Sequence, residues 1–155
     1  MGPAPKRART PKDYPASTLK KIVAIDAQVD RLPRENRYSP YSDLLAFKVS
    51  VRYTGLSRPI SRKSNEALLR WVRCCAGNPD HFLKNYVTEI RFAEHGRMYW
   101  LAVPRSSLPA FGKLKKGQMI KLLLIRVADR LREENRGSVL LVEKFSESQE
   151  DWQTF

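Results

Sequence analysis

Three ammonium groups, those of Lys113, Lys115 and Lys116, fall within four residues just before Gly117. Side chains of this type and spacing suit exposed contacts to phosphate oxygens; a solvated lysine cluster is the ordinary alternative. Bond-making chemistry has fewer candidates. His81 and His95 fall in predicted turns and most acids sit in charged stretches, so no carboxylate or imidazole pair is assembled for acid and base work. The chain has no phosphate-cradling glycine loop, serine elbow or metal-ligand spacing, which predicts no catalytic residue, no metal and no cofactor. Magnesium-dependent cleavage of nucleic acid through Asp43, Glu89 or Asp129 is the form a reaction would take.

The overall charge points the same way as the lysine cluster. Over 155 residues the net charge is +13, divided as +5 in residues 1–40, +11 in 41–145 and −3 in the last ten. The body, and not only an arm, therefore carries the excess. A body that repels itself is relieved by a polyanion such as nucleic acid, an anionic surface or an acidic protein. A surface charged for solubility is the competing reading. Hydrophobic content of 42% and aromatic content of 10% are those of a globular protein, and the length suits one domain with tails.

Cys74 and Cys75 are adjacent, an arrangement poorly suited to a mutual disulfide, and are expected to pack as small apolar groups beside Trp71. There is no cysteine framework, no apolar leader in residues 1–12 and no run of about eighteen apolar residues. A reduced cytoplasmic setting is expected, with nuclear or nucleoid-associated variants, and no membrane. Lys6 stands where N-myristoylation after Gly2 needs Ser or Thr.

Apolar periodicity lays out the elements that must position these residues. Residues 1–16, with Pro3, Pro5, Pro11 and Pro15 among Lys6, Arg7, Arg9 and Lys12, read as a flexible basic arm. Residues 17–43 read as a helix and loop packing on the body. With Ser17 or Thr18 as cap, Leu19, Ile22, Ile25, Val29 and Leu32 recur at helical spacing until Pro33; Val23, Ile25, Ala27 and Val29 also alternate as in a strand. Leu45, Phe47, Val49, Val51 and Tyr53 then alternate with Lys48, Ser50 and Arg52 in a strand ended by Gly55. A helix follows with Leu68, Trp71, Val72 and Cys75 on one stripe, Glu66 four residues before Arg70, and Gly77, Asn78 and Pro79 as its close. Residues 87–93 and 97–103 form a hairpin about Glu94-His95-Gly96. Leu108, Phe111 and Leu114 suggest a short amphipathic turn. Residues 119–127, apolar on both faces apart from Lys121 and Arg126, read as a central strand, with 139–145 as its partner. Residues 146–155 are an acidic, loose tail.

A strand, an inserted helix, a hairpin, a short loop-helix and a last hairpin entered by Lys115-Lys116-Gly117-Gln118-Met119-Ile120-Lys121 make an order, over residues 44–145, that resembles the OB-fold. That fold is a five-stranded Greek-key barrel, and the expected class is α+β, mainly β. The longer helix precedes the second strand here, whereas the OB helix usually lies between the third and fourth; an SH3-like barrel and an open α+β sheet are the other layouts. The resemblance implies non-enzymatic binding of single-stranded DNA or RNA across the second and third strands, with aromatics stacking on bases and cations following phosphates. In this sequence that face spans residues 89–105 and offers Arg91, Arg97, Tyr99 and Trp100, joined by Lys48 and Arg52 from the first strand and by Lys113, Lys115 and Lys116. Trp100 shares a strand face with Met98 and Ala102, so the core is its other destination. The segment from Glu147 to Phe155 is similar to the acidic, Phe-ended tail of bacterial single-stranded-DNA-binding proteins. That likeness implies a partner for Trp152 and Phe155, or a tail that competes for the basic body. The alternative function is an assembly domain whose basic surface meets an acidic protein or further copies of the chain.

Overall fold

Alternate residues of a strand face opposite ways. In the computed structural model, which describes residues 14–30, 43–75, 79–128 and 138–147, Val49, Val51 and Tyr53 enter one core while Ser50 and Arg52 stay exposed. They belong to β1 (Asp43–Pro59), the longest of five strands, with β2 (Thr88–Glu94), β3 (Arg97–Val103), β4 (Met119–Ala128) and β5 (Ser138–Ser146). Helix α1 (Leu19–Asp30) precedes β1, α2 (Arg62–Cys75) and α3 (Pro79–Asn85) separate β1 from β2, and the single turn α4 (Leu108–Phe111) lies between β3 and β4.

Hydrogen-bonded neighbours run β1-β2-β3-β5-β4 and return to β1. The β1–β2, β2–β3, β1–β4 and β4–β5 pairs are antiparallel, and β3 meets β5 in parallel through Ala102 and Leu141. The result is a mainly β fold with a mixed five-stranded sheet. Inside the ring, Phe92, Leu101, Val103, Ile120, Leu122 and Leu124 pack with Phe111 from α4 and with Leu19 and Ile22 from α1. Outside it, α2 lays Ala67, Leu68 and Val72 over Leu123, Ile125, Val127, Val139 and Leu141 of β4 and β5. Strand β4 is thus buried on both faces, as its run of apolar residues predicts, and its two cations are buried too: Lys121 and Arg126 are 5% and 0% exposed.

The helix reading prevails over the strand reading for Leu19–Asp30, whose start is doubly capped, while residues 31–42 lie outside the described residues. Thr18 Oγ1 accepts the Lys21 N–H at 3.2 Å, and the buried Glu94 carboxylate accepts the N–H groups of Leu19 and Lys20 at 2.8 and 3.2 Å. Residues 14–16 are part of the body and not of an arm. The Lys48 N–H donates to Pro15 O and Ser17 N–H to Lys48 O, so this stretch occupies the edge of β1 beyond the end of β2. Residues 1–13 and 148–155 lie outside the described residues.

Two further expectations need correction. Gly55 does not end the first strand: with φ of +81° it carries the backbone through a bulge, and β1 continues to Pro59. Pro79 does not close a helix but opens α3, which places His81 on a helix and not in a turn. The hairpin turn is as expected, with His95 and Gly96 at φ +48° and +80°, the paired positive values that a two-residue connection favours. No helix among the described residues is long and apolar enough to cross a membrane.

Behind α2 and α3, the buried Tyr86 hydroxyl donates to Val142 O at 3.0 Å. Burial first, and the Glu143 charge second, push this hydroxyl above the ordinary tyrosine range. The folded state then holds the proton more tightly than the unfolded chain. The stabilisation is complete below about pH 10, the unfolded value, and is lost as the pH rises beyond it. Urea unfolding is expected to give a midpoint that falls more steeply above about pH 10 in the wild type than in Tyr86→Phe. At neutral pH that variant is expected to be less stable by about 1 kcal/mol.

Candidate nucleic-acid interface

Register across β1, β2 and β3 decides which polar side chains share the outer face. Arg52 stands opposite Ala93, which stands opposite Met98; Arg91 stands opposite Trp100; Arg58 stands opposite Glu89, which stands opposite Ala102. The intervening residues, Ile90, Phe92, Leu101 and Val103, point into the interior core. One outer surface therefore holds Arg52, Arg58 and Arg91 around Trp100.

Arg58 reaches this face because of the bulge. Pairing passes from Tyr53↔Phe92 to Ser57↔Ile90, so β1 gains two residues on β2. Thr54 Oγ1 supports the detour, donating to Arg91 O at 2.6 Å and accepting the Leu56 N–H at 3.3 Å. Beyond it, Arg58 Nε donates to Glu89 Oε1 at 3.0 Å, and the guanidinium carbon lies 4.0 Å from the centroid of the Trp100 ring. Glu89 is only 2% exposed. Its carboxylate also accepts the Ser61 N–H at 2.9 Å and the Ser64 hydroxyl at 3.3 Å. Since Ser61 Oγ caps the Ser64 N–H, Glu89 sits at the positive end of α2. Arg91 lies on the same side, 6.0 Å from the Trp100 centroid, and its Nε is buried without a hydrogen-bond partner among the described residues.

The lysine loop is fastened beside Arg52. Arg52 Nη1 donates to Gly117 O at 3.0 Å, and Gly117 N–H donates to Tyr53 O at 2.7 Å. The Lys116 stem lies over Gly55, where an added Cβ would come within 2.9 Å of its Cγ. Lys113, Lys115 and Lys116 are exposed. Gln118 closes the loop by accepting the Lys115 N–H at 3.0 Å and donating to Glu147 at 3.0 Å, which brings the last described acid to this corner.

The expected site residues are thus divided. Arg52, Arg91, Trp100 and the three lysines lie on or beside one outer face. Arg97 and Tyr99 belong to the opposite face of β3: Tyr99 packs against the interior core, and with Lys20, Val23, Met98 and Arg97 it lines an open groove of about 410 Å³. Lys48 stands four residues from Arg52, beyond the end of β2, where residues 15–17 take up its backbone groups. Trp100 is half-buried and not a core residue; it faces outward with the 49% exposed Met98 because the odd-numbered residues of β3 take the interior. Glu89 is engaged in the α2 cap and the Arg58 pair, which does not suit a metal-binding carboxylate. Among the described residues no group of three or more His, Cys, Asp or Glu side chains is placed to hold a metal. Glu66 pairs with Arg62 at 3.0 Å, one turn toward the helix start. The side chains of Asp43, Arg70, Trp71, Cys74, Cys75 and His81, and all of Asp129, Trp152 and Phe155, lie outside the described residues.

Arg58 is the site residue that sequence reasoning missed. The signal was present, since an isolated glycine within a strand pattern marks a bulge as well as an end. No protein-family model matches the chain, and no curated protein or solved structure matches it either.

Gly55→Ala is expected to lower stability by about 1–3 kcal/mol, because a side chain there meets both a positive φ and the Lys116 stem. Chemical denaturation reads this directly.

Proposed function

We propose that the chain is a non-enzymatic nucleic-acid-binding module on an OB-like barrel, taking single-stranded DNA or RNA along the outer face of β1, β2 and β3. The observation that carries this reading is the approach of Arg58 and Arg91 to the half-buried ring of Trp100, with Arg52 on the same outer face. Cations that follow a phosphate backbone beside an aromatic platform are the ingredients of single-strand binding. The strand order β1-β2-β3-β5-β4, with a parallel β3–β5 contact, supports the OB-like assignment. The exposed loop of Lys113, Lys115 and Lys116 extends the basic track beyond Arg52. A cytoplasmic or nucleoid setting goes with this reading, and no cofactor is needed for it.

The acidic tail is part of the proposal. Glu147 is held by Gln118, beside the lysine loop, and Glu150 and Asp151 follow it in sequence as competitors for the cations that would hold phosphates. Trp152 and Phe155 are the tail's candidates for contact with a partner. The groove between α1 and the hairpin favours the alternative reading, an acidic protein partner or a second copy. There Lys20 and Arg97 flank Val23 and Met98, each 49% exposed.

Titration of a labelled oligonucleotide over a series of salt concentrations separates the readings. Affinity is expected to fall linearly in log–log form, by about 0.7 in slope per phosphate contacted on a single strand. The Lys115→Glu/Lys116→Glu double variant is expected to flatten that slope. Deleting residues 148–155 is expected to tighten binding at low salt and to leave it unchanged at high salt. Indifference to single strands, duplex and RNA, together with a defined oligomer in solution, supports the assembly reading instead.

A further inference from the structure

The cations on and beside this face do not all have the same work available to them. Arg52 and the lysines are exposed, and their charges face water. Arg58 differs, because its Nε is held at 3.0 Å by a carboxylate that is 2% exposed. A buried carboxylate cannot shed this partner without being left uncompensated, so the pair stays intact and the guanidinium carries little net charge outward. Its orientation is fixed as well. The same guanidinium lies 4.0 Å over the Trp100 ring, while 41% of the Arg58 side chain remains exposed.

We propose that Arg58, locked by Glu89 and backed by Trp100, is a stacking subsite for one unpaired nucleobase. This rests on the nucleic-acid reading above and adds a division of labour to it. A planar cation presents a face on which a base can stack, as arginine planes do in single-strand recognition. A base inside a duplex has both faces covered by its neighbours, so the subsite selects single strands. Phosphates fall to Arg52 and the Lys113–Lys116 loop, two rows away across the bulge. Glu89 acts through Arg58 as a positioning residue, without touching the ligand.

The division makes the two kinds of arginine distinguishable. Arg58→Lys keeps a positive group for Glu89 but removes the plane. Against a fluorescein-labelled oligothymidine it is expected to weaken binding roughly five- to 150-fold, the range for losing one stacked base. Its salt slope is expected to remain that of the wild type. Arg52→Ala is expected to reduce the slope by about 0.7, the share of one phosphate on a single strand. A duplex of the same length is expected to bind no differently to wild type and Arg58→Lys. Circular dichroism and a thermal melt confirm that the variant is folded. Wild-type affinity in a folded Arg58→Lys overturns the subsite alone, and so does a lowered salt slope, which marks Arg58 as a phosphate contact. Equal losses on single strand and duplex also overturn it. Absence of binding to any nucleic acid at low salt removes the functional reading and the subsite together.

Discussion

A carboxylate on the outside of a sheet would ordinarily face water, and Glu89 does not. Removing such a group from solvent is costly unless its oxygens are satisfied and its charge is opposed. Here the satisfaction comes from two other elements: Arg58 from the far half of β1, and Ser61 N–H and Ser64 Oγ from the start of α2. Those groups must converge on β2 for the fold to bury Glu89 at all. The constraint therefore fixes where β1 must arrive after its bulge and where α2 must begin. It also aims the Arg58 side chain across β2 and over Trp100. Stability and site geometry are consequences of the same contact.

Placement of α2 has a second consequence. Its apolar stripe covers the outer faces of β4 and β5 and reaches Ala102 of β3, and its start buries Glu89 of β2, while Arg52, Arg58 and part of Trp100 stay open to water. The most exposed of these side chains, Arg52 and Arg58, are cationic. Covering them with another apolar element would have stranded Arg52, Arg58 and Arg91 in a dry layer. The same alternation that keeps Phe92, Leu101 and Val103 inside thus sets a charged surface outside.

Much of this architecture was legible from periodicity. The alternation in residues 45–53, the hairpin about His95-Gly96 and the two-sided apolar run of β4 rest on local patterns that tertiary contacts reinforce. The N-terminal helix was ambiguous by pattern alone. It was decided by Glu94, a residue some seventy-five positions away that no local window includes. The continuation of β1 past Gly55 was hidden for a similar reason, because what holds the bulge is Thr54 reaching Arg91 O and Lys116 lying over the glycine. The site followed suit: residue types were readable, but their division between faces was not. Arg97 and Tyr99 look equivalent to Trp100 in sequence, and only the register of β3 against the interior separates them.

The filled interior also bears on the proposed binding function. Phe111 stacks on Phe145 at 4.1 Å and meets Phe92 and Tyr53 at 5.9 and 6.2 Å, so aromatic rings occupy the space that a ligand-enclosing ring would keep open. On the proposed reading, recognition uses the outer wall. On an outer wall water competes for every polar contact, and single exposed ion pairs contribute little. A ligand gains there by making many charge contacts at once, which a polyanion does, and by covering a flat surface already held in place. The Glu89–Arg58–Trp100 stack is such a surface: its ordering is settled during folding, before any ligand arrives.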